Sequence, residues 1–394
     1  MTKFKKALVL ILSLSMIVGS LTACGTKEPA SSGDKNASKG DKFVIGGIGP
    51  LTGDAAVYGK SVKNGAELAK NEINAAGGIN GKQIEFLFED DEANAEKSVN
   101  AYNTLKDKGM QVLMGTVTSG ACAAVIEKTH KDNMFQLTPS GSSADLLKYD
   151  NFFQVCFTDP NQGIASAQYI ASNSVAKKVA VIYNSSDIYS TGIYEKFAEE
   201  AKKQNLEVVA AEAFTSESKS DFSVQLQKAK DSGAELVFLP IYYTEAALIL
   251  KQSSDIGFKP TFFGCDGLDG ILNVENFDKS LAEGVMLLTP FAADAADDKT
   301  KNFVTNFKKA YTDTPNQFAA DAYDAIYIIK AAIEKSGAKA DLSVKDLGSA
   351  LKEAMPQISV DGLTGAGMTW SAKGEVNKAP RAIVIKEGAY VSAQ

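Results

Sequence analysis

The chain has 394 residues, 45% of them hydrophobic and 23% charged, with a formal net charge of −7. That length accommodates two domains of ordinary size, and that balance excludes a disordered chain or a fibre. The acidic sum argues against a nucleic-acid partner.

The first residues read as an export signal. Lys3, Lys5 and Lys6 make a positive start, and Ala7 to Val18 are apolar apart from Ser13 and Ser15. The run is shorter than the ~20 residues a membrane-spanning helix needs. It ends at Leu21-Thr22-Ala23-Cys24, which resembles a bacterial lipobox, whose cysteine is lipidated and becomes the new first residue. Cleavage before Cys24 removes three lysines and no acid, so the charge falls from −7 to −10. The stretch that follows, to Gly40, is rich in Gly, Ser, Lys, Asp and Asn, a composition expected of a flexible tether.

From Phe43 onward short apolar runs alternate with amphipathic stretches, the pattern of parallel sheets covered by helices. Phe43 to Ile48 predicts the first strand, and a helix follows over about 59–75, with Val62, Ala66, Ala69 and Ile73 on one side. Gly77 to Gly81 is a turn leading to a strand over Ile84 to Phe88. Val112 to Met114 and Phe135 to Leu137 are the next strands, separated by a helix that begins near Ser119. The pattern then restarts with strands at Val179 to Tyr183, Glu207 to Ala213, Leu236 to Leu239 and Thr261 to Phe263. Helices are expected at about 192–204, 221–231 and 244–256. Val285 to Leu288 leads to three more helices, at about 299–311, 317–335 and 343–354. The end reads as a closing hairpin in which Met368-Thr369-Trp370 faces Ala382 to Ile385 across a Gly-containing turn.

Catalysis lacks its parts. Gly47-Ile48-Gly49-Pro50-Leu51-Thr52-Gly53 is one residue too long for a dinucleotide fingerprint, and Pro50 removes an N–H from the loop that should hold pyrophosphate. There is no Walker A, HExxH or G-x-S-x-G sequence, and the single histidine, His130, cannot furnish most acid-base constellations. Cys122, Cys156 and Cys265 are far apart and odd in number, so they read as small packed hydrophobes. Asp90, Asp91 and Glu92 form the sharpest acidic cluster. Neighbouring carboxylates on an extended segment point to opposite sides, so a solvated loop is expected there and no metal site.

The loops at strand ends carry hydroxyls, glycines and tyrosines, where open α/β sheets bind ligands. Gly115 to Gly120 leads from a strand into a helix, and Ser119 is placed to cap that helix while its hydroxyl and the first-turn N–H groups face an anion. Thr138-Pro139-Ser140-Gly141-Ser142 ends the next strand and adds two hydroxyls to the same rim.

Gly49-Pro50-Leu51-Thr52-Gly53, Tyr58-Gly59, Asn74 to Gly81 and Asp90-Asp91 resemble the leucine/isoleucine/valine-binding family of importer receptors. The resemblance continues through Gly115 to Gly120, Thr138-Pro139, Asp187 to Gly192, Asp221-Phe222-Ser223, Glu283-Gly284 and Trp370 to Gly374, covering the chain beyond the tether. It implies a type I periplasmic-binding-protein fold, α/β, with two lobes, each an open mostly parallel sheet flanked by helices, joined by three hinge crossings near 158–161, 288–290 and 363–365. It further implies a ligand-binding set. Ser119 matches the serine that holds the ligand carboxylate, and Ser140 and Ser142 match the loop positions that complete main-chain recognition. Asp266 matches the acid for the α-ammonium group, Tyr58, Tyr189 and Tyr242 the tyrosines packed over the ligand, and Phe318 an aromatic of the pocket wall.

Asp266 lies in Gly264-Cys265-Asp266-Gly267, a sequence that by itself makes a turn. A closed cleft strips water from an ammonium, however, and a buried cation without a carboxylate partner is costly. Relatives often carry glutamate at Asp266 and alanine at Ser140: the shorter acid either brings its loop inward or makes room for a bulkier or differently charged ligand, and one more hydroxyl suits a more polar one.

The expected organisation is a signal peptide over 1–23, a lipid anchor and tether over 24–41, one lobe from 42–158 plus 290–360, and a second from 163–288 plus 366–394. The expected function is capture of an amino acid, branched-chain or related aliphatic, outside the cytoplasm on the outer face of the cell membrane. Lobe closure and delivery to the permease subunits of an ABC importer follow, with no cofactor, as a monomer. A sensory receptor for an amino acid, amide or small carboxylate is the alternative.

Overall fold

β1 (Lys42–Gly49) is buried on both faces because β2 (Gln83–Asp90) and β3 (Val112–Gly115) flank it and helices cover it above and below. The protein is described by a computed structural model over residues 40–393, and Cys24 with the predicted leader lies outside these residues. α1 (Ala56–Ala75), α2 (Ala95–Asp107) and α3 (Ser119–Asp132) make the crossovers that parallel strands require. β4 (Gln136–Thr138) and β5 (Phe152–Gln154) complete an all-parallel sheet of order β2-β1-β3-β4-β5. Asn94 starts α2 by accepting the N–H groups of Glu96 and Lys97 at 3.0 and 3.1 Å.

The chain leaves this sheet after β5 and builds a second one. α4 (Asp159–Ser172), β6 (Lys178–Asn184), α5 (Ile188–Lys203), β7 (Glu207–Phe214) and α6 (Ser223–Asp231) are followed by β8 (Leu236–Leu239), α7 (Tyr243–Asp255), β9 (Thr261–Gly264) and β10 (Met286–Thr289). It then returns with α8 (Asp298–Tyr311), α9 (Gln317–Ser336) and α10 (Val344–Ala354). α9 lies tightly on α1, where Gly65 allows the Ala319 carbonyl to approach. A third passage leads to β11 (Arg381–Lys386) and β12 (Ala389–Ser392), which extend the second sheet antiparallel, giving the order β12-β11-β10-β9-β8-β6-β7. This is the type I periplasmic-binding-protein architecture, two mostly parallel sheets with three crossings.

The third passage is pinned from α9. Asp324 accepts the N–H groups of Leu363 and Thr364 and the Thr364 hydroxyl at 2.8, 2.9 and 2.6 Å. Lys378, wholly buried, donates to Asp321 at 2.7 Å and to the Thr364 hydroxyl at 2.6 Å.

Two expectations change. The closing hairpin pairs β11 with β12 through Glu387 and Gly388, both at positive φ, which suits a tight two-residue turn. Met368 and Trp370 instead bridge Val360 and Val376, and the Trp370 indole N–H donates to the carbonyl of Gln154, the last residue of β5. Asp91 is buried, not solvated: it accepts the Ala93 N–H at 2.9 Å and the Ser98 hydroxyl at 3.1 Å, which fastens the end of β2 to the start of α2. Among the described residues no helix is long and apolar enough to cross a membrane.

Candidate functional site

The carboxyl ends of the parallel strands in both sheets face one another, and the loops leaving β1, β3, β4, β8 and β9 meet there. Tyr58, Ser119, Ser140, Tyr189, Tyr242, Asp266 and Phe318 line one enclosed space, together with Val117, Thr118 and Gly267. Its unfilled volume is about 240 Å³ including the mouth. Of the residues predicted from sequence only Ser142 lies outside this lining, directly behind Ser119. A larger depression beyond Asp269, lined by Leu272, Phe291, Pro315, Ile383 and Tyr390, collects none of the other predicted residues.

Two hydroxyl loops form the side of the first sheet. Ser119 does not cap α3 as expected: Thr118 occupies that position, and Ser119 stands first in the helix. Its oxygen accepts the N–H groups of Ser142 and Ser143, each at 3.2 Å, so the loop after β4 is fastened to the start of α3. With its acceptor capacity used, the hydroxyl proton is left to donate. Ser140 is turned away, donating to the Val117 carbonyl at 2.8 Å. The hydroxyls of Thr118 and Ser142 are buried without any protein partner.

Asp266 opens a one-turn 3-10 segment, Asp266–Leu268, at the end of β9. Its Oδ1 accepts the Tyr189 hydroxyl at 2.7 Å, and that same hydroxyl accepts the Gly267 N–H at 3.0 Å. The Asp266 N–H donates to Gln162 Oε1 at 3.2 Å, and its carbonyl accepts Gln317 Nε2 at 3.0 Å. These bonds hold the loop as more than a free turn. Burial pushes the Asp266 carboxyl up to about 7, against the Tyr189 hydrogen bond that favours its charged form.

Aromatic rings fill the middle. Tyr242 stacks on Tyr189 at 5.1 Å and meets Tyr58 edge-on at 5.5 Å, while Phe318 lies 4.2 Å from Tyr58. Burial raises the pKa of Tyr58, Tyr189 and Tyr242 well above the ordinary phenol value, so they act as neutral hydroxyls. The Tyr58 hydroxyl donates to the Gly267 carbonyl across the seam and accepts the Tyr243 N–H at 3.3 Å. At the mouth Lys219 joins Asp54 and Glu245 at 2.7 and 3.2 Å.

Sequence reasoning missed Thr118, Asp159 and Gln162. Asp159 and Gln162 are fully buried, and both Asp159 oxygens and Gln162 Nε2 lack protein partners. The sequence reading places 158–161 in a hinge crossing, which hides this. The arrangement provides hydroxyl donors on one side, carboxyl acceptors on the other and apolar rings between. His130 is elsewhere, stacked on Tyr149 at 4.0 Å, and burial raises the pKa of the free thiols of Cys122, Cys156 and Cys265 above the ordinary range.

The model of the periplasmic binding protein family matches residues 42–389. The chain is 31% identical over 337 residues to the Leu/Ile/Val-binding protein homolog 3 of Brucella melitensis, covering 85% of this chain and 89% of that protein. It is 28% identical to the leucine-, isoleucine-, valine-, threonine-, and alanine-binding protein of Pseudomonas aeruginosa, over 75% of this chain and 79% of that one. The branched-chain amino acid transporter substrate binding protein of Streptococcus pneumoniae, solved in complex with isoleucine, aligns with a TM-score of 0.81 and 28% identity, over 90% of this chain and 99% of that one. A benzoate-bound solute binding protein from R. palustris shares the fold at TM-score 0.78 and 20% identity, covering 89% and 95%. By the family model's span, and by this identity over most of both chains, the chain belongs to the periplasmic binding proteins, in the leucine/isoleucine/valine-binding family.

Proposed function

We propose that this protein is an extracytoplasmic, lipid-anchored receptor that captures an aliphatic amino acid, branched-chain or related, between two lobes and hands it to an ABC importer. The observation that carries the reading is the opposition of Ser119 and Asp266 across one enclosed space. Ser119 has a proton to give to a carboxylate, and Asp266 is a buried acid suited to an ammonium. Phe318 and the tyrosines supply the apolar wall for an aliphatic side chain. The names of the relatives, which bind leucine, isoleucine and valine, point the same way.

The lobes are 42–158 plus 290–360 and 163–288 plus 366–394, anchored through Cys24 after loss of residues 1–23. Ligand contacts from both sides favour the closed arrangement, which the permease subunits recognise. The tyrosine rings must also part to admit a ligand, because the space held between them is only about 10 Å³, far below the ~300 Å³ at which small-molecule pockets begin.

Calorimetry with leucine, isoleucine and valine, and with the deaminated analogue 4-methylpentanoate, tests the site. Asp266→Ala should weaken amino-acid binding by ~2–5 kcal/mol and show no such penalty for the deaminated acid. Ser119→Ala should cost about 1.5–3 kcal/mol with both ligands. Equal affinity of wild type and Asp266→Ala for the amino acid would remove the ammonium role.

A further inference from the structure

Asp159 is the most anomalous buried group in the molecule. It stands in the first turn of α4, fully buried, with neither carboxyl oxygen hydrogen-bonded. Its surroundings compensate it only weakly. The Ser142 hydroxyl is near enough to favour the charged form but lies outside hydrogen-bonding geometry, and the Gly192 backbone closes the side toward α5. The charged groups that act on it are Asp266 in the loop after β9, Asp187 before α5 and Asp145 in the loop after β4, all acidic. The start of α4 adds only the partial positive charge of a helix end.

The position is tied to the site by two chains of contacts. The Asp159 N–H donates to the Ser142 carbonyl at 2.9 Å, and the Ser142 N–H donates to Ser119. One turn along α4, Gln162 accepts the Asp266 N–H and leaves its own side-chain N–H₂ without a partner. Asp159 also bears electrostatically on Tyr242, whose ring lines the enclosed space. Thr118, which lines that space, and Ser142, Asp159 and Gln162, which are bonded to residues that line it or to their neighbours, thus hold polar atoms without a hydrogen-bond partner. Buried polar groups in folded proteins are satisfied by protein, by water or by a bound group, so a cluster of exceptions at one place calls for a further partner.

We propose that Asp159 is a second acidic recognition group, which acts with Asp266 as a two-carboxyl receptor for the ligand's ammonium and gives up a proton when that cation enters. The inference deepens the amino-acid reading and rests on it. Two like carboxylates close together in a buried site do not both ionise, so the ligand-free pair holds at least one proton. The balance is simple: a carboxylic acid meets R–NH₃⁺, the carboxylate–ammonium pair forms, and the proton passes to solvent. Burial raises the proton affinity of both acids, which agrees with a pair that is protonated until the cation arrives.

The experiment is calorimetry of leucine binding near neutral pH in buffers of unequal ionisation enthalpy, with wild type, Asp159→Asn and Asp266→Asn. Wild type should release about half to one proton per leucine. Asp159→Asn should bind leucine at least about tenfold more weakly and release less. A ligand-free thermal melt supplies a readout independent of any ligand: Asp159→Asn should melt higher than wild type at pH above neutral and equally at acid pH, since it removes a buried unpaired charge. A wild-type proton count of zero overturns the proposal without any variant. So does unchanged affinity in Asp159→Asn, which would mean that the oxygens are merely hydrated. If wild type binds none of leucine, isoleucine and valine, the amino-acid reading falls, and 3-methylbutylamine decides Asp159 alone. Binding of the amine that is lost in Asp159→Asn upholds the acid's role, and no binding overturns it.

Discussion

The hydroxyl of Tyr58 on α1 donates to the carbonyl oxygen of Gly267, 209 positions further along the chain and on the rim of the other sheet. The Tyr58 hydroxyl oxygen in turn accepts the Tyr243 N–H, and the Tyr243 hydroxyl accepts the Val57 N–H at 3.1 Å. One exchange of hydrogen bonds between adjacent tyrosines therefore latches the two rims. Tyr58→Phe keeps the ring contacts and leaves a buried carbonyl and a buried N–H unpaired, a cost of about 1–3 kcal/mol borne only when the rims meet. Leucine affinity should fall accordingly, and scattering should show a larger radius of gyration for the ligand-free variant. A variant with wild-type affinity and wild-type scattering would mean that the latch contributes nothing to closure.

Packing behind the site gives a second expectation. A side-chain carbon at Gly65 would lie 2.0 Å from the Ala319 carbonyl oxygen, which is backbone and cannot step aside without moving α9 away from α1. Gly65→Ala gains helix propensity, worth up to ~1 kcal/mol, but overpacking of this kind costs roughly 1–3 kcal/mol. The urea midpoint should fall. A rise would show that α9 is free to shift.

Much of this was legible in the sequence because the relevant signals are local. Strand-end loops rich in hydroxyls pointed to Ser119 and Ser140, and the family resemblance added Tyr58, Tyr189, Tyr242, Asp266 and Phe318, all seven of which lie around the enclosed space. Partnerships between distant residues were not legible. Asp91 sits in a run of three acids that reads as solvated, and its partner Ser98 lies inside the next helix. Lys378 and Asp321 are 57 residues apart, and nothing in the polarity of either position announces an ion pair in the interior. The hairpin was misread because the weak Glu387-Gly388 turn lies only a few residues from the end, whereas the Gly374 turn is stronger in composition. Gly374 in fact lets the chain pass close to Phe152, whose carbonyl stands 2.0 Å from where a side-chain carbon would be.

Stability should depend on pH in an unusual direction. Burial pushes Asp266 and Asp269 up to about 7 and Asp91 and Asp187 up to about 6. Between about pH 4 and 7 the folded protein then binds more protons than the unfolded chain, so the free energy of unfolding falls as pH rises through this window. Asp90 and Asp132 act below it. Burial raises each, but hydrogen bonds from Thr52 and Leu51 to Asp90, and from Lys106 and Tyr102 to Asp132, hold both below the usual value. Their contribution is lost only as pH drops under about 4. The ligand-free protein should therefore melt highest near pH 4–5 and progressively lower toward neutrality. Asp269→Asn should flatten the fall, and a melting temperature that climbs from pH 5 to 7 would refute the account.

The buried ion pair behind the third crossing makes the strongest stability prediction. Lys378 is wholly enclosed, with Asp321 at 2.7 Å and the Thr364 hydroxyl at 2.6 Å, and Asp324 accepts that same hydroxyl. Its charge lowers the proton affinity of both aspartates, which burial otherwise raises. Lys378→Met leaves two buried carboxyls uncompensated, and breaking such a pair from one side costs about 3–5 kcal/mol. The loss should be larger at pH 8 than at pH 5, because protonation of Asp321 and Asp324 relieves it at the lower pH. Removing the charge on both sides behaves differently. In Lys378→Met with Asp321→Asn only Asp324 remains, still held by the two N–H groups of 363–364 and the Thr364 hydroxyl. That double variant should recover most of the stability, since a buried pair replaced from both sides is often near neutral. Urea unfolding of both single variants and the double at the two pH values measures the coupling directly. Additive losses would show that Lys378 stabilises the crossing by packing its hydrocarbon stem and not by its charge.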